Sequence, residues 1–136
     1  MTNELLSFND KNLWTHISNL YSTQGGVYKV IAARNNVRIP IKRFLGTDQE
    51  GILYIGKATS FIDRVIDLKK SISPDYIGTS HICGRRYKSL PNVSKIFPFE
   101  ILHIELIFSA TPEQLEKDLL SKYKYNYGEV PPLNAI

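Results

Sequence analysis

Two tyrosines and two cations are the residues of this chain whose types and spacing could do chemistry. The sequence Gly-Val-Tyr ends at Tyr28, and Tyr-Ile-Gly-Lys runs from Tyr54 to Lys57, ahead of Arg64. If both segments are strands of one small sheet, the phenols lie on neighbouring strands and the cations lie at the start of the following helix. Taken singly, each tyrosine is also consistent with an ordinary strand aromatic.

Several other catalytic classes are excluded because their motifs are missing from the sequence. There is no P-loop, no Gly-x-Gly-x-x-Gly, no His-Glu-x-x-His and no Gly-x-Ser-x-Gly. The three histidines, His16, His81 and His103, are scattered along the chain. The single cysteine, Cys83, excludes both an internal disulfide framework and an all-cysteine zinc site. We expect its thiol to be buried and inert.

Composition and charge are those of an ordinary globular chain with a basic middle. The 136 residues are 43% hydrophobic and 22% charged, with a net charge of +4. This length predicts one domain, or one domain with a terminal arm. Neither a signal peptide nor a membrane span is read, so a cytoplasmic location is expected. The cations concentrate between Lys29 and Lys88 and most acids lie nearer the ends, a pattern that fits either a phosphate-facing surface or a solvated face.

The elements that must position these residues follow from periodicity and breaker residues. Helices are predicted over 11–23, after Thr59 or Ser60, and from Pro112 onward with Thr111 as the cap, with a short helix possible within 81–90. Strands are predicted over 27–33, 37–44, 52–55 and 99–108, with turns at 35–36 and 46–51. This order predicts an α/β sandwich, in which helices flank a small, mainly antiparallel sheet of three to four strands. Residues 1–24 form an N-terminal helical arm in this prediction, and 25–136 form the main domain.

The motifs together resemble those of the GIY-YIG nuclease family over about residues 25 to 134. Gly26-Val27-Tyr28 resembles the first motif and Tyr54-Ile55-Gly56 the second. Lys57 and Arg64 stand where the family has a lysine and a helix arginine. Glu116 resembles its metal-binding glutamate, and Pro132-Leu133-Asn134 resembles its terminal asparagine motif. The long spacing from Tyr28 to Tyr54 resembles the restriction-enzyme branch. Leu68 stands where the family often has histidine or tyrosine, and His81 is the nearest candidate for that role.

The resemblance implies a metal-dependent DNA endonuclease that hydrolyses a phosphodiester by in-line attack of water. Glu116 would hold one Mg²⁺ or Mn²⁺ ion, since Mg²⁺ commonly uses only one or two carboxylates. Either Tyr28 or Tyr54 would be the general base, with its pKa lowered by Lys57 and Arg64. Arg64 would also bind the scissile phosphate.

DNA is the partner that the resemblance implies, without an organic cofactor and without a membrane. Binding would draw on a set of cations in the middle of the chain: Lys42, Arg43, Lys69, Lys70, Arg85, Arg86 and Lys88. Arg85 and Arg86 could read guanine or contact phosphate, and Asn134 would bind substrate or tie the C-terminal tail to the site. Cutting both strands would favour a homodimer. The alternatives are a non-catalytic nucleic-acid-binding module on the same scaffold and an α/β protein with chance motifs.

Overall fold

A five-stranded antiparallel sheet forms the centre of the computed structural model, which describes residues 4–75, 81–90 and 92–134. The strands are β1 (Leu6–Ser7), β2 (Gly26–Arg34), β3 (Val37–Arg38), β4 (Ile41–Arg43), β5 (Gly46–Asp48), β6 (Ile52–Ala58) and β7 (Leu102–Phe108). β2 is central, because β7 pairs with one edge of it and β6 with the other, while β1 extends the sheet beyond β7. β3 pairs with the end of β2, and β4 and β5 form a separate hairpin.

Helices cover both faces of the sheet. They are α1 (Leu13–Tyr21), α2 (Phe61–Ile72), α3 (Ile82–Ser89), α4 (Val93–Ile96) and α5 (Pro112–Tyr127). Alternate residues of β2 face opposite sides, as the pleat requires. Tyr28 and Val30 belong to the core shared with α1, α2 and α3, whereas Val27 and Ile31 pack against Tyr123 of α5. The predicted α/β class, with an antiparallel sheet between helices, is confirmed.

The N-terminal segment contributes to the core. Leu13 and Ile17 of α1 are buried in the same cluster as Phe61 of α2, and β1 adds Leu6 to it. Tyr21 contacts the Phe61 ring edge-on, with the ring centroids 5.1 Å apart. Residues 6–21 therefore pack on the sheet, and a domain boundary at residue 24 stays a prediction.

Three predicted segments differ from the structure. The strand predicted over 37–44 is interrupted at Ile39 and Pro40, because proline has no N–H to donate to a ladder. The predicted turn at 46–51 instead contains β5, which pairs with β4. The strand predicted over 99–108 begins at Leu102, after a 3-10 turn at Phe99–Ile101.

Two helix caps also differ in detail. The sequence predicts Asp10 as the N-cap of α1, but the structure has Asn12 there, and the Asp10 carboxylate accepts the Asn12 N–H at 2.8 Å from two residues earlier. Thr111 is the N-cap of α5 as predicted, but its side chain makes no capping hydrogen bond, and Gln114 binds Asp118. The short helix within 81–90 is present as α3. Pro74 and Gly78 predict a loop over 71–80, but α2 continues to Ile72, and residues 76–80 of that loop lie outside the described residues.

Within the described ranges, every helix is too short or too polar to cross a bilayer.

Candidate active site

A cleft of about 410 Å³ opens where β6 leads into α2. Its lining includes Tyr28 of β2, Tyr54 and Lys57 of β6, Arg64 of α2 and Glu116 of α5. Four separate elements therefore bring together the two phenols, the two cations and the carboxylate that the sequence analysis selected. Glu116 lies on the same side of the molecule as both tyrosines, which the family resemblance requires.

The register of β2 and β6 places the two phenols side by side. Tyr28 is opposite Gly56, and the Tyr28 and Tyr54 ring centroids are 6.0 Å apart. A Cβ at position 56 would stand 2.5 Å from both Cζ and Oη of Tyr28. Any side chain there would displace the Tyr28 hydroxyl, so the glycine of the Tyr-Ile-Gly motif makes room for that hydroxyl.

His81 lies directly behind the phenols and is fully buried. Its Nε2 is 2.6 Å from the Tyr28 Oη, and its Nδ1 accepts the backbone N–H of Cys83 at 3.0 Å. A neutral imidazole whose Nδ1 accepts a hydrogen bond must carry its proton on Nε2. His81 therefore donates to the Tyr28 oxygen and cannot take the proton of Tyr28 in this tautomer.

The backbone of α2 and α3 fixes the position of His81. The Ser71 hydroxyl of α2 accepts the His81 backbone N–H at 3.2 Å, and His81 is itself the N-cap of α3. The His81 ring also lies edge-on to Tyr54, with the ring centroids 5.5 Å apart. Leu68 is buried in the core one turn beyond Arg64. An imidazole thus reaches the phenols from α3 and not from the Leu68 position.

The pKa values of these groups move in directions set mainly by burial. Burial raises the pKa of the Tyr28 phenol strongly and the pKa of Tyr54 to about 12, while the Arg64 cation acts in the opposite direction on both. Burial, and then Arg64, lower the pKa of His81 to about 4, which keeps the imidazole neutral at neutral pH. The expectation that nearby cations lower the tyrosine pKa was wrong in its net direction, because desolvation of a phenolate outweighs them.

Glu116 is the carboxylate of α5 that reaches this cleft, and it is partly exposed. Burial raises its pKa and the nearby Lys57 opposes that shift. No group of three or more His, Cys, Asp or Glu side chains arranged to hold a metal occurs in the described part of the chain. This donor set does not fit a structural zinc site, but it fits Mg²⁺, which keeps several waters and needs only one or two carboxylates.

Two further acids of the cleft were not selected from the sequence. Asp63 and Asp67 of α2 line the cleft beside Arg64. The sequence pairs Asp63 with Ser60 as a capping box and indicates no further role for it. Their spacing of one helical turn, on either side of Arg64 in sequence, was the signal that could have placed both on the cleft side of α2.

The C-terminal tail is tied to the edge of β6. The Asn134 side-chain carbonyl accepts the Ile55 N–H at 2.9 Å, and its amide donates to the Ile55 carbonyl at 3.0 Å. Leu133 adds a backbone bond to Leu53 at 2.8 Å. Asn134 is buried and its polar atoms are taken by Ile55, so the geometry supports a tail-anchoring role and not substrate contact.

The other residues selected for substrate binding lie outside this cleft. Arg85 is exposed on α3. Arg86 lines a cavity beside the C-terminal tail, and Lys88 lines another beside Tyr87 and Phe99.

Part of the basic middle is neutralised by acids that are distant in sequence. Glu105 contacts both Lys29, at 3.6 Å, and Arg38, at 2.9 Å. Arg43 contacts Glu129 at 3.1 Å. Three of the clustered cations are therefore paired with carboxylates, and the phosphate-facing interpretation of the others stays a prediction.

No family model, curated protein or solved structure matches this chain. The resemblance to GIY-YIG nucleases therefore rests on its motifs, and function must be argued from the cleft itself.

Proposed function

We propose that this protein is a metal-dependent DNA endonuclease that hydrolyses phosphodiester bonds by activating water. The observation that carries the proposal is the convergence of Tyr28, Tyr54, Lys57, Arg64 and Glu116 on one cleft. In-line hydrolysis needs a group that takes the proton of water, cations that stabilise the phosphorane, and a group that holds a divalent ion. The cleft offers one candidate for each need.

Tyr28 is the general base in this proposal. Its oxygen accepts a hydrogen bond from the Nε2–H of the buried His81 at 2.6 Å. That bond is strengthened when the oxygen becomes a phenolate, because hydrogen bonds to charged acceptors are stronger than neutral ones. The phenolate form of Tyr28 takes the proton of water, and the hydrogen bonds from His81 and Arg64 both favour that form. Tyr54, 6.0 Å away between ring centroids, orients that water.

Arg64 and Lys57 are the cations of the reaction. The guanidinium of Arg64 lines the cleft and acts electrostatically on both phenols, so it is close to where negative charge develops. Its planar fork matches two phosphate oxygens and suits the scissile phosphate. Lys57 lies near Glu116, where its charge favours the ionised carboxylate and opposes the burial that raises the pKa of Glu116.

Glu116 holds the divalent ion, Mg²⁺ or Mn²⁺. When bound there, the ion supplies Lewis-acid stabilisation of the phosphoryl and leaving-group oxygens. Glu116 needs to be ionised for this role, and the Lys57 cation favours that form. Asp63 and Asp67 lie on the α2 side of the same cleft, where ordered water can hydrogen-bond to their carboxylates.

The decisive experiment is nicking of supercoiled plasmid by the full chain with Mg²⁺ or Mn²⁺. We expect wild type to convert plasmid to open-circular and linear forms, and Glu116→Gln to be inactive while its affinity for a DNA duplex is kept. Glu113→Gln is the matched control, since Glu113 lies one turn earlier on α5 and does not line the cleft. Equal activity of wild type and Glu116→Gln would contradict the proposal.

The second candidate is a non-catalytic nucleic-acid-binding module. The upward shift of both tyrosine pKa values favours it, because a phenol that stays protonated is a poor base. Tight duplex binding without cleavage in either metal would establish this reading in place of the first. Absence of any DNA affinity at low salt would contradict both.

A further inference from the structure

We propose that a second cavity, lined by Arg43, Arg86 and Lys124, binds a backbone phosphate of the DNA substrate away from the cleft. This inference rests on the proposed function, since it adds a substrate subsite to it. The cavity encloses about 340 Å³ between the end of α5, α3 and the C-terminal tail. It shares no lining residue with the cleft.

The charges of this cavity favour an anion. Three cations line it together with one carboxylate, Glu129. Glu129 is already paired, because its carboxylate contacts Arg43 at 3.1 Å and accepts the Phe44 N–H at 2.9 Å. In the described part of the chain, neither Arg86 nor Lys124 has a carboxylate within ion-pair distance. The cavity therefore carries uncompensated positive charge.

Arg43 and Arg86 each make a hydrogen bond to the tail but keep donors that are not hydrogen-bonded. Arg43 donates to the Val130 carbonyl at 2.7 Å, and Arg86 donates to the Pro132 carbonyl at 3.4 Å. Among the described residues, no acceptor reaches the buried Nε–H of either arginine. A buried donor without an acceptor is unfavourable, and an arginine with spare donors is the usual receptor for phosphate oxygens.

An exposed aromatic next to the cavity favours a nucleic acid over a free anion. Phe44 follows Arg43 at the tip of the β4–β5 hairpin and is 79% exposed. The tip is fixed to the end of α5, because Leu45 donates to the Tyr127 carbonyl at 3.1 Å. A Cβ at Gly128, which lines the cavity, would stand 2.9 Å from the Phe44 ring. Base stacking on such a side chain is sequence-tolerant and complements phosphate binding.

The C-terminal tail connects the cavity to the cleft. Asn134 lines the cavity and binds both backbone groups of Ile55, the residue between Tyr54 and Gly56. A DNA strand bound at the cavity is therefore positioned relative to Tyr54 through the tail and the edge strand β6. Direct contact with the reacting phosphate is not required for this role.

The test is duplex binding by fluorescence anisotropy across a salt series, in EDTA so that cleavage does not enter. The variant is Arg86→Gln with Lys124→Gln, and the matched control is Lys95→Gln with Lys122→Gln. Both remove two positive charges, but the control residues lie outside this cavity. We expect the first pair to weaken binding about fivefold and to reduce the slope of log affinity against log salt by roughly 1, and the control to change neither.

Phe44 provides a separate readout. We expect Phe44→Ser to weaken duplex or single-strand binding with the salt slope unchanged, because stacking releases no counterions. Phe44→Trp should restore the affinity. Equal loss in Phe44→Ser and Phe44→Trp would contradict stacking.

Inorganic phosphate distinguishes a DNA subsite from a free-anion site. If phosphate raises the melting temperature of wild type but not of the Arg86 and Lys124 pair, while both bind duplex equally, the DNA inference is overturned. Equal effects of the variant pair and its control overturn it as well. Neither result concerns Glu116, so a failure here is distinguishable from a failure of the endonuclease proposal.

Discussion

The Tyr28 hydroxyl oxygen lies 2.6 Å from Nε2 of His81, and the direction of that hydrogen bond is fixed by a backbone group on the other side of the ring. Because Cys83 donates its N–H to Nδ1, the neutral imidazole donates from Nε2. The histidine is therefore a positioning and stabilising group for a phenolate, and a proton relay through it would require breaking the cap of α3.

Replacing His81 by Asn tests that role with the cap retained. Asparagine is among the best N-cap residues, but its side chain is too short to reach Tyr28. We expect cleavage to slow by roughly 10²-fold, as for removal of one donor to a developing oxyanion. The rise of rate with pH should also move to higher pH, because the phenolate loses a hydrogen bond.

The control for this variant is His103→Asn. His103 lies on β7, bonds to the Ile101 carbonyl at 2.9 Å and does not line the cleft. Its cleavage rate and pH profile should match wild type. A His81→Asn enzyme that is slower only because it is less stable, with an unshifted pH profile, would show that His81 serves the fold alone.

Removing a single oxygen from each tyrosine identifies the base. We expect Tyr28→Phe to reduce the cleavage rate by roughly 10²- to 10⁴-fold and to abolish its rise with pH. Tyr54→Phe should slow cleavage less and keep that rise. The pKa of each phenol is raised by burial, so the wild-type rate should increase about tenfold per pH unit from neutral into the alkaline range. The opposite pattern in the two variants would transfer the role to Tyr54.

Arg64 is expected to act on the transition state and not on ground-state binding. Arg64→Gln should lower the single-turnover cleavage rate by roughly 10³-fold while duplex affinity changes less than about threefold. Arg64→Lys should recover only part of the rate, because an ammonium lacks the planar fork. Comparable losses of affinity and rate, compared by anisotropy and single-turnover kinetics, would make Arg64 a DNA anchor.

The convergence of the cleft residues was predictable because it follows from short-range rules. Period-two segments place Tyr28 and Tyr54 on paired strands, and the helix that begins after Ser60 must carry Arg64 back over the same sheet end. The apolar stripe of α5 packs against Ile31 and Ile55, which leaves Glu116 at the margin of that contact. Patterning therefore placed β2, β6 and α2 around one end of the sheet, whereas Glu116 of α5 was selected through the family resemblance.

Charge pairing and pKa direction were not predictable, since both depend on contacts between distant residues. Arg38 meets Glu105 across 67 positions, and Tyr28 meets His81 across 53. The sequence shows cations near Tyr54 but not the burial that outweighs them. The tautomer of His81 depends on a backbone N–H, which no pattern of side chains reveals.

Because burial lowers the pKa of His81, the fold should become less stable as the pH falls. The pKa of His81 is about 4 in the folded chain, against an ordinary value of 6.5. Between these values the unfolded chain binds a proton that the folded chain does not, so the free energy of unfolding falls as pH falls from 6.5 to 4. The full loss is about 3 kcal/mol, and none of it appears above pH 6.5. Urea unfolding of wild type and His81→Asn across this range checks it, because His81→Asn should lose about 3 kcal/mol of the wild-type dependence. Parallel curves for wild type and His81→Asn would mean that the imidazole is charged inside the fold.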